Sequence, residues 1–299
     1  MRRVGYLFSF AAAEGRHYWD ACRAGLRELG YIEGKNIALE PRWADGDYQK
    51  LGGLITDLLR LKVDVIVVAA TPGSRAVKAA TSTTPIVFVA VAEPVRAGLV
   101  ASLARPGANA TGLTLLTPEL SGRRLKLLAD LLRKVPRVAV VANPGNASHE
   151  VFFEETQEAA GQLGIPIERL QAKSAEDIDG AFESAAQARA DSMIVFDDPV
   201  LWNHRKRFVA LAAKARLPVM YGYREFVDEG GLISYGPKRD DLYRRTAVYV
   251  DKILKGANPA ELAVERPTKF ELIINARTAK ALSIAIPQAV LLHADEVIE

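Results

Sequence analysis

The chain has 299 residues, of which 49% are hydrophobic and 25% charged, and its formal net charge is +3. This is the composition of an ordinary globular protein, and it excludes disordered and fibrous classes. Lys and Arg are scattered, with only short clusters such as RRLK and HRKR. These are read as solvated helix faces, and no nucleic-acid partner is expected. The single cysteine, Cys22, rules out an internal disulfide and a thiolate metal site. It shares an apolar helical stripe with Tyr18, Leu26 and Leu29, as a small core residue would. No apolar run approaches the roughly 18–20 residues of a membrane span. The length exceeds the usual size of one hydrophobic core, so two domains are expected.

In chain order, RVGYLFSF is expected as a strand and HYWDACRAGLREL as a helix closed by Gly30. NIALEPRW is a second strand, placed near a sheet edge by Pro41, which cannot donate to a ladder. YQKLGGLITDLLRLK repeats its leucines at helical spacing. Strand VDVIVVAA, helix SRAVKAATS, strand PIVFVAV and a short helix within PVRAGLVASLA follow. The strands are apolar throughout, as in a parallel sheet covered on both faces. RPGANATGLTLLTPE, rich in Pro, Gly and Asn, is expected to be a crossing between domains. A second series then runs through helix LSGRRLKLLADLLRKV, strand RVAVVAN, helix HEVFFEETQEAAGQL, strand PIERLQA and helix AEDIDGAFESAAQARA. Strand SMIVFDD, helix LWNHRKRFVALAAKAR and strand PVMYGY complete it. In the tail, GGLISYGP and ERPTKFELIIN are strands flanking helix DDLYRRTAVYVDKILKG, and they serve as further crossings.

The fold class expected is therefore α/β, with two doubly wound, Rossmann-like parallel-sheet domains joined by a multi-strand hinge. One lobe takes residues 1–115 and about 236–262, the other 116–235 and about 263–299. Open α/β sheets bind ligands beyond the carboxyl ends of their strands. The candidate loops are Phe8, Ser9 and Phe10; Thr71, Pro72, Gly73 and Ser74; Ala92 and Glu93; Asn143 and Asn146; Asp197 and Asp198; and Tyr221, Tyr223 and Glu225. The ligand cleft is expected between the lobes.

Two Pro-Gly turns precede helices whose free N–H groups and positive dipole ends attract a carboxylate. Thr71 and Ser74 either cap their helix or cap it while also facing ligand. Asp198, just before Pro199, fits a helix cap. Asp197 suits an ammonium or hydroxyl, and neighbouring carboxylates on extended chain point apart, against a catalytic dyad. Tyr221 and Tyr223, two apart on one strand, share a side and offer either a stacking surface or core packing. Trp202 is a similar candidate, with Phe8 and Phe10 from the other domain, whereas Trp19 and Trp43 are assigned to packing. No G-x-G-x-x-G follows a strand and no P-loop exists. The four histidines lack metal-ligand spacing and no G-x-S-x-G turn is present. Neither cofactor nor metal is expected.

Three stretches carry a resemblance: GLRELGYIEGKNIALEPRWADGD, EPVRAGLVASLARPGANATGLT, and the run from REFVDEGGLISYGPKRDD to ARTAKALSIAIP, followed by the terminus LLHADEVIE. In these the chain resembles the ABC-transporter substrate-binding proteins related to tryptophan- and tyrosine-binding lipoproteins, over nearly its whole length. The resemblance implies the type I periplasmic binding protein fold, whose two domains close over a small molecule. It implies an aromatic or other amino acid, or a related carboxylate, as ligand, and a membrane ABC permease as partner. It also implies a periplasmic or membrane-anchored extracytoplasmic location, with the export signal outside these 299 residues. A monomer without enzymatic activity is expected. The family often has Asp-Pro where this chain has Glu93-Pro94. The alternative is a ligand-sensor domain of a signalling or regulatory system, and an enzyme working in a wound α/β cleft is the third option.

Overall fold

A computed structural model of the chain describes residues 1–115 and 117–299. The chain forms two compact units, Met1–Leu116 with Lys238–Thr268, and Thr117–Pro237 with Lys269–Glu299. The boundary expected near residues 115 and 116 falls at residue 116, outside the described residues.

The first unit begins with β1 (Arg2–Phe8), α1 (Arg16–Glu28), β2 (Ile37–Trp43), α2 (Leu51–Arg60) and β3 (Val65–Ala69). It continues with α3 (Thr71–Ala80), β4 (Ile86–Val91) and β5 (Ala110–Thr114). Its sheet runs β2-β1-β3-β4-β5 and every pair is parallel. Every residue of β3 and β4 is buried, which is why those strands lack any polar alternation. Pro41 lies in the edge strand β2, opposite Tyr6.

One expectation in this unit is corrected and one is extended. The short helix within PVRAGLVASLA does not form. Residues after Pro94 make turns closed by Ala97 N to Glu93 O and Leu99 N to Pro94 O, with Gly98 at φ +72° ending any helical run. The stretch RPGANATGLTLLTPE holds the division between the units, as expected, but it also contains β5, a fully buried strand paired to β4 that the sequence reading left unassigned. Its Gly112 disguised it. There φ is +150°, and a Cβ would stand 1.9 Å from Phe88 O, so only glycine fits the strand.

The second unit comprises α4 (Thr117–Leu132), β6 (Val138–Ala142), α5 (Ser148–Leu163), β7 (Ile167–Gln171), α6 (Ala175–Gln187) and β8 (Ser192–Val195). Then follow α7 (Pro199–Asn203), α8 (Arg205–Ala215), β9 (Val219–Tyr221), α9 (Arg224–Asp228) and β10 (Ile233–Pro237). After α10 (Arg239–Leu254), which belongs to the first unit, come β11 (Phe270–Asn275), α11 (Ala276–Ala281), α12 (Gln288–Leu291) and β12 (Glu296–Ile298). The sheet order is β12-β11-β10-β9-β8-β6-β7, and β11 runs antiparallel to β10 while the other pairs are parallel. The purely parallel sheet expected here is thus parallel-dominated. The chain leaves at Pro237 and re-enters at Lys269, so no helix within this unit links those two strands.

The single helix expected over LWNHRKRFVALAAKAR is two, broken at His204, where φ is −101° and ψ 19°. In the first unit, α1 and α10 approach so closely that a Cβ on Gly25 would meet Arg244 O at 2.2 Å. That approach fixes α10 over the aromatic face of the first sheet.

Candidate functional site

In the first unit α3 opens at Thr71, so Thr71, Pro72, Gly73 and Ser74 are its first turn rather than a turn before it. Pro72 suits that place, because its missing N–H would have no intrahelical partner. The residue before the helix is Ala70, held at φ +66° with no side-chain cap. The capping reading of Ser74 is therefore corrected. Its buried Oγ donates back to Ala70 O at 2.7 Å, the four-residue bond of a helical serine. Thr71 Oγ1 lies 3.5 Å from Ala92 N, and Thr114 Oγ1 donates to Ala92 O at 2.9 Å. These bonds tie the ends of β3, β4 and β5 together beside Glu93, which is half-buried. Ser9 Oγ donates to Ala69 O at 3.3 Å and sits where a Cβ on Gly73 would touch it.

Phe8 and Phe10 are buried in an aromatic cluster of the first unit. Phe8 stacks on Trp43 with centroids 4.2 Å apart, and Phe10 lies 5.3 Å from Phe8. Tyr18 and Tyr243 stack at 4.2 Å beneath the Arg239 guanidinium, which is 5.0 Å from the Tyr18 ring.

In the second unit the loops after β6 and β8 are joined by buried side chains. Asp198 caps α7, with Oδ1 accepting from Val200 N and Leu201 N. The same carboxylate accepts from Asn143 Nδ2 at 2.9 Å and Asn146 Nδ2 at 3.0 Å. His149 completes the link: its Nδ1 accepts from Asn143 N at 2.8 Å, and its Nε2 lies 3.1 Å from Asp197 O. A backbone N–H can only donate, so Nδ1 carries no proton and Nε2–H donates to the carbonyl. Burial holds the His149 pKa below its ordinary 6.5, against the raising influence of Asp198.

Asp197 points elsewhere, as neighbouring residues on extended chain do. Its Oδ2 receives Arg124 Nη2 at 2.9 Å, and Arg124 Nε donates to Tyr235 O at 2.7 Å. Arg124 belongs to the RRLK cluster, so the solvated reading of that cluster is corrected: Arg123 and Lys126 are exposed, but Arg124 is buried. Arg205 of HRKR is likewise largely buried, with its guanidinium 5.2 Å from the Trp202 ring. Trp202 lies inside α7 and is buried.

The tyrosine pair does not share a strand. β9 ends at Tyr221, and Tyr223 occupies the position before α9. Tyr221 stacks on Phe226 at 4.3 Å and lines a cavity of about 20 Å³ with Val209, Leu217 and Thr278, so it is a packing residue of this unit. Glu225 stands half-buried in the first turn of α9. Sequence reasoning missed Arg124 and His149. Among the described residues no group of three or more His, Cys, Asp or Glu could hold a metal ion.

The profile of the family described as "ABC transporter substrate binding protein" matches residues 17–298. A tyrosine-binding protein of Clostridioides difficile (strain R20291) is 25% identical over 260 residues, covering 87% of this chain and 74% of that protein. A crystal structure of a conserved domain protein from Vibrio cholerae superposes with a TM-score of 0.94 at 30% identity, covering 99% of each chain. The ABC domain of Streptococcus pneumonia, in complex with L-Trp, superposes at 0.93 with 24% identity and 99% of each chain covered. The architecture is that of the type I periplasmic binding proteins.

Proposed function

This chain belongs to the ABC transporter substrate-binding protein family, and from that premise we propose that it captures an aromatic amino acid for delivery to a membrane permease. The family is a non-catalytic, extracytoplasmic class that delivers small molecules to ABC permeases. The observation that carries the reading is the family match through residues 17–298, which spans segments of both compact units. The ligand class is supported by the tyrosine-binding protein and by the L-Trp complex among its relatives. Among the described residues no helix is long and apolar enough to cross a membrane.

In this reading the protein acts as a monomer, without turnover, at the outer face of the membrane. Its strand-end loops contact the ligand, and closure upon binding signals the permease. The N–H groups in the first turn of α3 attract the ligand carboxylate, as helix N-termini do. Asp197 takes the ammonium, and the half-buried Glu225 adds negative charge in the second unit. A thermal-shift panel of amino acids, aromatic acids and sugars tests the proposal. Stabilisation by L-tryptophan or L-tyrosine is the expected result, and stabilisation by sugars alone would overturn it.

A further inference from the structure

The first unit holds a cavity of about 330 Å³ that the amino-acid reading leaves unused. Two elements of different period converge on it. Arg23, Leu26 and Arg27 fall three and four residues apart on α1 and share one face of that helix. Ile37 and Leu39 are two apart on β2 and share one side of the strand. The turn between the two elements adds Tyr31, Ile32 and Glu33. Ile37 and Leu39 stand opposite Arg2 and Val4 of β1, at the amino ends of the strands. The cavity therefore lies at the other end of the sheet from the carboxyl-end loops, where α/β sheets take their ligands.

Its wall is already fixed. Tyr31 Oη donates to Asp251 Oδ1 at 2.9 Å, and Tyr31 N donates to Leu26 O at 3.0 Å. Asn36 closes the turn, its Oδ1 accepting from Ile32 N at 2.7 Å and its Nδ2 donating to Gly30 O at 2.9 Å. Leu29 and Ile32 on the same turn are 42% and 46% exposed, so apolar surface is left in water here.

The charges at the cavity do not balance. Its lining carries two guanidinium groups and one carboxylate. Arg23 Nη2 takes that carboxylate, Glu33 Oε2, at 3.0 Å, and Arg23 Nη1 also lies 3.6 Å from Asp20 Oδ1. Arg27 is exposed and forms no ion pair or side-chain hydrogen bond among the described residues. An apolar hollow with one uncommitted cation suits a molecule with an apolar body and a single negative charge. A stable protein partner needs roughly 800 Å² of contact on each side, which the exposed Leu29 and Ile32 do not approach.

We propose that this cavity is a second ligand site, for a small amphipathic monocarboxylate. Its apolar body lies between Leu26, Ile37 and Leu39, and its carboxylate meets Arg27. At about 30 Å³ per water-sized group the space takes roughly ten non-hydrogen atoms, the size of octanoate. All eight lining residues belong to the first unit, so the site is complete whether or not an amino acid is held at the strand-end loops.

Methyl-detected NMR titration of the full chain with sodium octanoate, in the presence and absence of L-tryptophan, tests it. The methyl signals of Leu26, Ile32, Ile37 and Leu39 should shift saturably, with a Kd of about 1 mM or tighter, and L-tryptophan should not change that value. Octanamide, the neutral counterpart, should bind about threefold or more weakly at low salt, the worth of an exposed charge pair. Arg27→Gln, an exposed change that a helix accepts, should remove the difference between the two.

No shift at these methyls by about 10 mM octanoate, tenfold above the expected Kd, overturns the proposal. So do equal affinities for octanoate and octanamide, or a difference that survives in Arg27→Gln. Displacement of octanoate by L-tryptophan would make the two sites one and overturn it as well. Shifts at the same methyls on raising the protein concentration, without a response to octanoate, would give the cavity to a second copy of the chain instead.

Discussion

On α4, Leu120, Arg124, Leu128 and Leu131 fall three or four residues apart, and all are buried. A guanidinium therefore stands in a stripe that otherwise carries leucine, and that misplaced charge was the signal available in the sequence. It went unread because the neighbouring Arg123 and Lys126 are exposed and made the cluster look uniformly solvated. Asp198 was legible as a helix cap, because an aspartate before a proline matches local geometry alone. Asp197 was legible only as a charge, since its partner lies 73 residues away in sequence.

His149 carried no spacing signal, yet it joins two loops. Its pKa is held below 6.5 in the folded state, chiefly by burial, with Arg169 acting in the same direction against Asp197 and Asp198. Between that lowered value and about 6.5 the unfolded chain binds the proton and the folded chain does not, so stability rises with pH. The contribution is fully present above 6.5 and is lost as pH falls toward the folded value. Urea midpoints near pH 7.5 and pH 5.5 should show the wild type losing more stability on acidification than His149→Gln. The difference should reach at most about 1.4 kcal/mol per pH unit. Parallel losses in the two proteins would contradict this role for His149.

Among the elements, those read correctly were the ones whose local pattern and tertiary role agree. β3 and β4 are continuous apolar runs because helices cover both faces of a parallel sheet. β5 failed that test. Its ATGLT looks like loop because Gly112 interrupts it, and the glycine is there because the Phe88 backbone of the neighbouring strand passes too close for a Cβ. The stretch after Pro94 shows the opposite conflict, with helical spacing defeated by the left-handed Gly98. The break at His204 and the early end of β9 are likewise set by packing, and boundaries of that kind have no local signature.

Two glycines of the same type give opposite expectations. Gly112→Ala drives a methyl group into Phe88 O at a φ of +150° and should cost about 3 kcal/mol or more. Gly180 lies inside α6, and a methyl group there would meet nothing within 4 Å. Gly180→Ala should therefore gain about 0.5–1 kcal/mol. Denaturant melts of both variants give the comparison. A Gly112→Ala protein as stable as the wild type would contradict the account of β5.

For the whole molecule, the repeated strand–turn–helix pattern already implied two wound units, and the architecture is that of the type I periplasmic binding proteins. The tail was the harder part. The antiparallel β11 beside β10 cannot be read locally, because the chain passes through α10 in the first unit between those strands. The functional class was legible through motifs spread along the chain, whereas the buried polar contacts at the strand-end loops become visible only once distant residues are placed together.

The central claim, reversible capture of an amino acid without chemistry, is tested most directly by equilibrium dialysis against L-tryptophan and L-tyrosine, with mass-spectrometric recovery of the ligand. The account predicts saturable uptake of one molecule per chain and recovery of the ligand unchanged. Failure to take up either amino acid, or recovery of a chemically altered product, would contradict it.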